Sequence, residues 1–170
     1  YLEAERNDNA AIVAPSLEVP ELGREIWVMA PDEISHSRAD FDVEGAFCTW
    51  FIAGAVMLCR TDYFKEIGGF DENIFLYNED LDLSKRISIA GYAMICVPGI
   101  KAKHLNSQSA PPSTMLTWRK NWNFAWSYFY VLEKYNGAPT ARRKARLALL
   151  TKGMKALFYI LVLDKKRFLR

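Results

Sequence analysis

The stretch "FCTWFIAGAVMLCR", residues 47 to 60, constrains this chain more than any other part of it. It runs almost without a polar break and is too rich in aromatic and β-branched residues to lie on a surface. Its second half, Phe51 to Cys59, is expected to form a central strand covered on both faces. Gly54 interrupts that strand, and an interior glycine marks either tight packing or a place where a second backbone or a ligand comes close.

Upstream, "YLEAERNDN" reads as the end of a helix leading into a short buried strand over residues 11 to 15, closed by Pro15. Tyr1 is no initiator, so the chain reads as a piece of a longer protein. Residues 30 to 46, "APDEISHSRADFDVEGA", are polar and aperiodic and are expected to be a long loop. Downstream, "TDYFKEIGGF" predicts a short helix capped by Thr61 and stopped by Gly68 and Gly69, and "NIFLY" a further strand. "YAMICVPGIKAKH" predicts a strand, a Pro-Gly turn and a second short strand ending at His104. Strands and helices in this order point to an α/β layer whose functional end lies at the carboxyl edge of the strands.

Composition narrows the class. With 170 residues, 51% of them hydrophobic and 25% charged, the chain has room for one core. A formal charge of +2 is too small to argue for nucleic acid, although basic residues crowd the last thirty positions. Cys48, Cys59 and Cys96 lie in apolar runs without metal-site spacing and read as small buried hydrophobes of a reducing compartment. No apolar run reaches the ~18 residues of a spanning helix, and no signal peptide opens the chain; both features suggest a cytoplasmic location.

The second informative stretch is "FLYNEDLDLSKR", residues 75 to 86. Asn78 suits an N-cap, Glu79 and Asp80 suit the first helical turn, where the macrodipole favours anions, and Gly91 suits the stop. Leu83, Ile87 and Ala90 give an apolar face, and Asp82 can pair with Lys85 or Arg86. Capping alone accounts for these carboxylates. A catalytic use of Asp80, at the end of the expected strand, is the alternative.

Context favours the alternative. A Gly-Ala strand, a basic residue with a short helix, "GGFDE", "FLYNEDLDL" followed by "KR", "AGY", and a Pro-containing strand leading to a histidine occur in one order. Together they resemble the C-terminal half of the catalytic domain of family 2 glycosyltransferases, especially the bacterial rhamnosyltransferase-like group. The resemblance covers roughly residues 10 to 110 and divides the chain into a transferase part, residues 1–112, and a helical, basic, amphipathic tail, residues 113–170.

The resemblance implies a GT-A, Rossmann-like fold and transfer of a sugar from a nucleotide-sugar donor to an acceptor hydroxyl with inversion. The acceptor would be a glycan or lipid-linked, in synthesis of bacterial cell-surface polysaccharide or lipopolysaccharide. Asp80 would be the general base, because an attacking alcohol must lose its proton as the glycosidic bond forms. Glu79 would assist it or touch the acceptor. Gly54, Asp71 and Glu72 would lie on the substrate side, although Asp71 and Glu72 also suit a turn. His104 would help hold a divalent metal, Mn or Mg, on the donor diphosphate.

The family's own Asp-x-Asp metal motif belongs before residue 1. Asp40-Phe41-Asp42 comes too late in the domain to replace it, so the fragment alone is expected to be inactive. A metal-dependent hydrolase built on Glu79, Asp80 and His104 lacks the further ligands such a site needs.

The tail adds two features. Trp118, Trp122 and Trp126 recur every four residues, a stripe that suits packing against a core better than stacking on sugars. Basic clusters at Arg142, Arg143, Lys144 and Arg146 and at Lys165, Lys166 and Arg167 flank an apolar run, which fits a helix lying peripherally on the inner face of an anionic membrane. A non-catalytic membrane-binding module with a degenerate transferase scaffold is the competing function.

Overall fold

The computed structural model describes residues 2–19, 23–25, 27–29, 36–38, 43–105, 111 and 113–168. The chain forms two compact units, Tyr1–Tyr128 and Phe129–Arg170. The first is a mixed α/β unit. After helix α1 (Leu2–Arg6) comes strand β1 (Ala10–Val19), then β2 (Gly23–Glu25), β3 (Trp27–Met29), β4 (His36–Arg38), β5 (Phe47–Thr49) and β6 (Leu58–Cys59). Helices α2 (Thr61–Glu66) and α3 (Glu79–Ile89) precede β7 (Ala93–Lys103), and α4 spans Thr114–Phe168.

β1 is the centre of the sheet. Ala10 to Ala14 are all at most 7% exposed, which is the apolar run of a strand covered on both faces. One edge of β1 pairs in parallel with β7, which in turn pairs antiparallel with β5. The other edge is shared by β2 and β6, both antiparallel. On one face Ile12, Ala14 and Met94 pack with Ile52 and with Leu83 and Ile87 of α3; on the other, Ala10 and Val13 pack with Ile95. β3 and β4 form a separate hairpin.

Several sequence-based expectations fail here, each for a physical reason. Residues 51 to 57 are no strand. Phe51 is held by Thr49 (its N–H to Thr49 Oγ1, 3.3 Å), and the N–H groups of Ile52 and Gly54 go to side chains of α3: Ser84 Oγ at 3.3 Å and Asp80 Oδ2 at 2.9 Å. The segment is apolar because Phe51 and Ile52 are buried, at 2% and 4% exposure, but its backbone is satisfied by a helix surface rather than a ladder. β6 begins only at Leu58.

"NIFLY" is no strand either. Asp71 Oδ1 accepts from both the backbone and the side-chain N–H of Asn73, the Ile74 N–H returns to Asp71 O, and Tyr77 and Asn78 adopt left-handed φ values of 65° and 62°. This is a turn, with Ile74 buried and Phe75 86% exposed. Within the expected loop of residues 30 to 46, His36–Arg38 is strand, while Asp40-Phe41-Asp42 lies outside the described residues. The two strands expected around Pro98-Gly99 are one, β7. Its register jumps from Pro15↔Val97 to Ser16↔Lys101, and Ser16 Oγ faces the Pro98 and Ile100 carbonyls at 3.2 Å, so residues 98 to 100 form a bulge.

Helix ends follow the sequence more closely. Gly68, Gly69 and Gly91 all take positive φ at the expected stops, and Ser113 Oγ accepts from the Leu116 N–H at 3.1 Å as the cap of α4. Thr61, however, is the first residue of α2, whose N-cap is Arg60. Gly137, at φ 80° and ψ 158°, interrupts α4 two residues before Pro139. Ala90, expected on the apolar face of α3, is exposed, as is Cys48; Cys59 is half-buried and only Cys96 is buried. All three cysteines are free thiols.

Candidate functional site

The site is built at the N-terminus of α3. Asn78 occupies the N-cap position and its carbonyl accepts the Asp82 N–H at 3.0 Å, but its side chain makes no cap. Buried at 6% exposure, it instead donates to Ser127 Oγ of α4 at 2.9 Å, and Ser127 is 2% exposed. Ser127 Oγ also lies within hydrogen-bond distance of the Leu76, Asn123 and Phe124 carbonyls. Two successive non-glycine residues in the left-handed region cost about 1–3 kcal/mol each, and this clasp holds the turn against that cost. Nothing in the sequence pointed to Ser127, because its partner is 49 residues away.

The turn delivers Asp80 to a defined place. Asp80 Oδ2 accepts from the Gly54 N–H at 2.9 Å and Oδ1 from the Leu81 N–H at 2.8 Å. Each oxygen keeps lone-pair capacity beyond its one backbone donor, so the carboxylate is oriented and still able to take a proton. Gly54 is tightly engaged: a Cβ there would stand 3.3 Å from Asp80 Cβ and 3.6 Å from Oδ2. The glycine is therefore a site of close approach, and what approaches is the catalytic candidate itself.

Glu79, beside it, is half-buried with a buried Oε2 that has no hydrogen-bond partner in the structure. Burial raises its pKa, a backbone hydrogen bond lowers it, and the neighbouring Asp80 charge raises it; the net shift is upward. Asp82 is structural. It is fully buried and pairs with Arg86 Nε at 2.8 Å, and Arg86 Nη1 donates to the Ile67 carbonyl at 2.8 Å, tying α3 to the end of α2.

The other expected residues are less concentrated. Asp71 is a turn former through Asn73, and Glu72 is exposed beside it. His104 follows β7, half-buried, and its N–H donates to the Glu18 carbonyl at 2.9 Å. Among the described residues no group of three or more His, Cys, Asp or Glu side chains converges on a common point. These residues alone do not make a metal site. An open cleft of about 450 Å³ over Ala4, Val13, Cys59 and Asp62 is lined by none of the expected site residues.

The tryptophan stripe is not packed. Trp118, Trp122 and Trp126 are 59%, 60% and 55% exposed, and the rings of Trp118 and Trp122 stack at 5.8 Å. No helix among the described residues is long and apolar enough to cross a membrane.

No protein-family model matches the chain. The N-acetylglucosaminyl-diphospho-decaprenol L-rhamnosyltransferase of Mycobacterium tuberculosis is 30% identical over 90 residues, which cover 51% of this chain and 28% of that protein. The rhamnosyltransferase WbbL of Escherichia coli (strain K12) is 44% identical over 52 residues, covering 31% of this chain and 20% of that protein. The chain thus spans less than a third of the length of these curated relatives. Both are named rhamnosyltransferases, which supports a glycosyltransferase family for the matched stretch.

Proposed function

We propose that the whole protein is an inverting glycosyltransferase with a GT-A catalytic domain, of which residues 1–112 supply the base and acceptor side. Asp80 removes the proton from the acceptor hydroxyl as that oxygen attacks the anomeric carbon of a nucleotide-sugar donor. The observation that carries this reading is the clamped Asp80 carboxylate, aimed by Gly54 and Leu81 N–H groups at the start of α3. A general base needs this combination of fixed direction and open lone pairs. Glu79 serves on the acceptor side, and Asp71 and Glu72 border it.

The names of the relatives make rhamnosyl the first donor group to try and a lipid-diphosphate-linked sugar the first acceptor, in assembly of a bacterial cell-surface polysaccharide. The basic segment Arg142–Lys155 would hold the protein peripherally at the inner face of the membrane, close to such an acceptor. Metal dependence is a separate part of the proposal, with His104 as the residue of this chain concerned. Removal of divalent ions by a chelator should abolish transfer and readdition of Mn or Mg restore it.

In the full-length protein, Asp80→Asn should lower the transfer rate ~10²–10⁴-fold with donor binding retained. Unchanged turnover removes Asp80 from the reaction. A second reading, a non-catalytic membrane-binding module, draws on the exposed Leu147, Leu150, Met154 and Phe158 in the same segment as the basic clusters. It predicts vesicle binding with no donor requirement, and measurable sugar transfer by the wild type would exclude it.

A further inference from the structure

Asn78 stands in the cap position of α3 and does not cap it. An asparagine there ordinarily takes extended backbone and accepts, through its side-chain oxygen, the N–H of the second or third helical residue, here Asp80 or Leu81. In this chain its backbone is left-handed, at φ 62°, and its amide reaches away from α3, with Nδ2 2.9 Å from Ser127 Oγ and 3.4 Å from the Phe124 carbonyl. The Ser127 hydroxyl donates within its own helix to the Asn123 carbonyl at 2.6 Å, which leaves a lone pair for Asn78. Tyr77, the other left-handed residue, sets its ring edge-on against Phe124, with centroids 6.0 Å apart. Both residues of the strained turn are thus anchored on the same part of α4.

A donor that an ordinary cap would take goes to Asp80 instead. The Leu81 N–H donates to Asp80 Oδ1 at 2.8 Å, and this is one of the two backbone bonds that aim the carboxylate. Asn78 and Asp80 are therefore competitors for one N–H, and Ser127 decides between them by holding Asn78 off the helix end. We propose that Ser127 and Asn78 are positioning residues for the base: their bond reserves the Leu81 N–H for Asp80. When that bond is lost, Asn78 relaxes to ordinary cap geometry, takes the Leu81 N–H and releases the Oδ1 side of the carboxylate. Asp80 then keeps only the Gly54 N–H and can swing about it. The inference rests on the reading of Asp80 as the base, and it makes the first part of α4 a support of the reaction although no residue of that helix reaches the carboxylate through a bond of its own among the described contacts. Both positioning residues lie in the first compact unit, together with Asp80 and Gly54.

The test is made in the full-length protein with leucine isotope-labelled for amide NMR. With the Asn78–Ser127 bond in place, Asp80→Asn should move the Leu81 amide proton strongly, because a charged acceptor becomes a neutral one. In a Ser127→Ala background with unchanged circular dichroism, the same exchange should move it much less. Turnover, measured with the rhamnosyl donor and lipid-diphosphate-linked sugar acceptor proposed above, should fall about 10²-fold in Ser127→Ala, with KM unchanged. Adding Asn78→Gly to Ser127→Ala should restore most of the lost rate, because glycine takes the left-handed backbone freely and has no side chain to compete for the Leu81 N–H. A role confined to stability predicts the reverse, a double variant worse than the single one. Asn78→Asp, which can cap but has no N–H to give Ser127, should also weaken the Leu81 response, and it serves if Ser127→Ala does not fold. A Leu81 response undiminished in these variants, or a double variant no faster than Ser127→Ala, would overturn the proposal. The Leu81 response needs no turnover, so its failure is told apart from a failure of Asp80 as the base, which Asp80→Asn turnover tests separately.

Discussion

Helix α3 and the first part of α4 meet at the Asn78 side chain, which donates to Ser127 Oγ and to the Phe124 carbonyl, yet they are built on opposite plans. In α3 the apolar residues Leu81, Leu83 and Ile87 are at most 1% exposed. In α4, between Thr114 and Tyr128, the largest apolar side chains point out and a serine points in. An apolar stripe thus identifies a face that avoids water, without saying what covers it. In α3 the stripe is met by the sheet; in α4 the tryptophans stay more than half exposed among the described residues, while the polar side makes the specific bonds.

Substitutions in the two helices should differ widely in cost. Leu83→Ala should cost about 3 kcal/mol in urea denaturation, since it opens a cavity against Ile12 and Met94. Asp82→Ala should cost a similar ~3 kcal/mol by leaving the Arg86 guanidinium without its buried partner. Ser127→Ala should cost about 1–3 kcal/mol because the Asn78 amide loses its nearer acceptor and keeps only the Phe124 carbonyl at 3.4 Å; an effect near zero would mean that the clasp does not hold the turn. Trp122→Ala, on the outward face, should stay within ~0.5 kcal/mol, and a loss as large as that of Leu83→Ala would show that the stripe is packed after all.

The smallest effect concerns Glu79. Because burial raises its folded-state pKa above its unfolded value, its contribution to stability is fully present below the ordinary glutamate range and is lost as pH rises through the folded value. Glu79→Gln should flatten that fall in weakly acidic solution, read as midpoint against pH. Identical pH profiles for the two proteins would contradict the burial of this carboxylate.

Glycine stops, the Asp82–Arg86 pair and the Ser113 cap were legible in the sequence because each depends on residues within a few positions of one another. β1 was legible in part: its apolar start is plain, but its continuation through Ser16 to Val19 is recruited by β7 and β2. The failures share a cause. "FIAGAVM" and "NIFLY" carry strand composition, and composition reports burial, not the identity of the hydrogen-bond partner. Gly54 was singled out as a place of close approach, and the approach is real, yet only the fold shows that the neighbour is Asp80.

By itself, then, the sequence determined which segments avoid water, where helices stop, and that three carboxylates crowd one helix start. Local spacing and conformational preference are enough for that. Tertiary structure decided that Ile52 and Gly54 satisfy their N–H groups on α3 and that Asn78 spends its side chain on Ser127. It also decided that the tryptophans face outward. The hydrogen bonds among these join residues tens of positions apart, and the residue types alone leave many partners open; only the packed chain selects one.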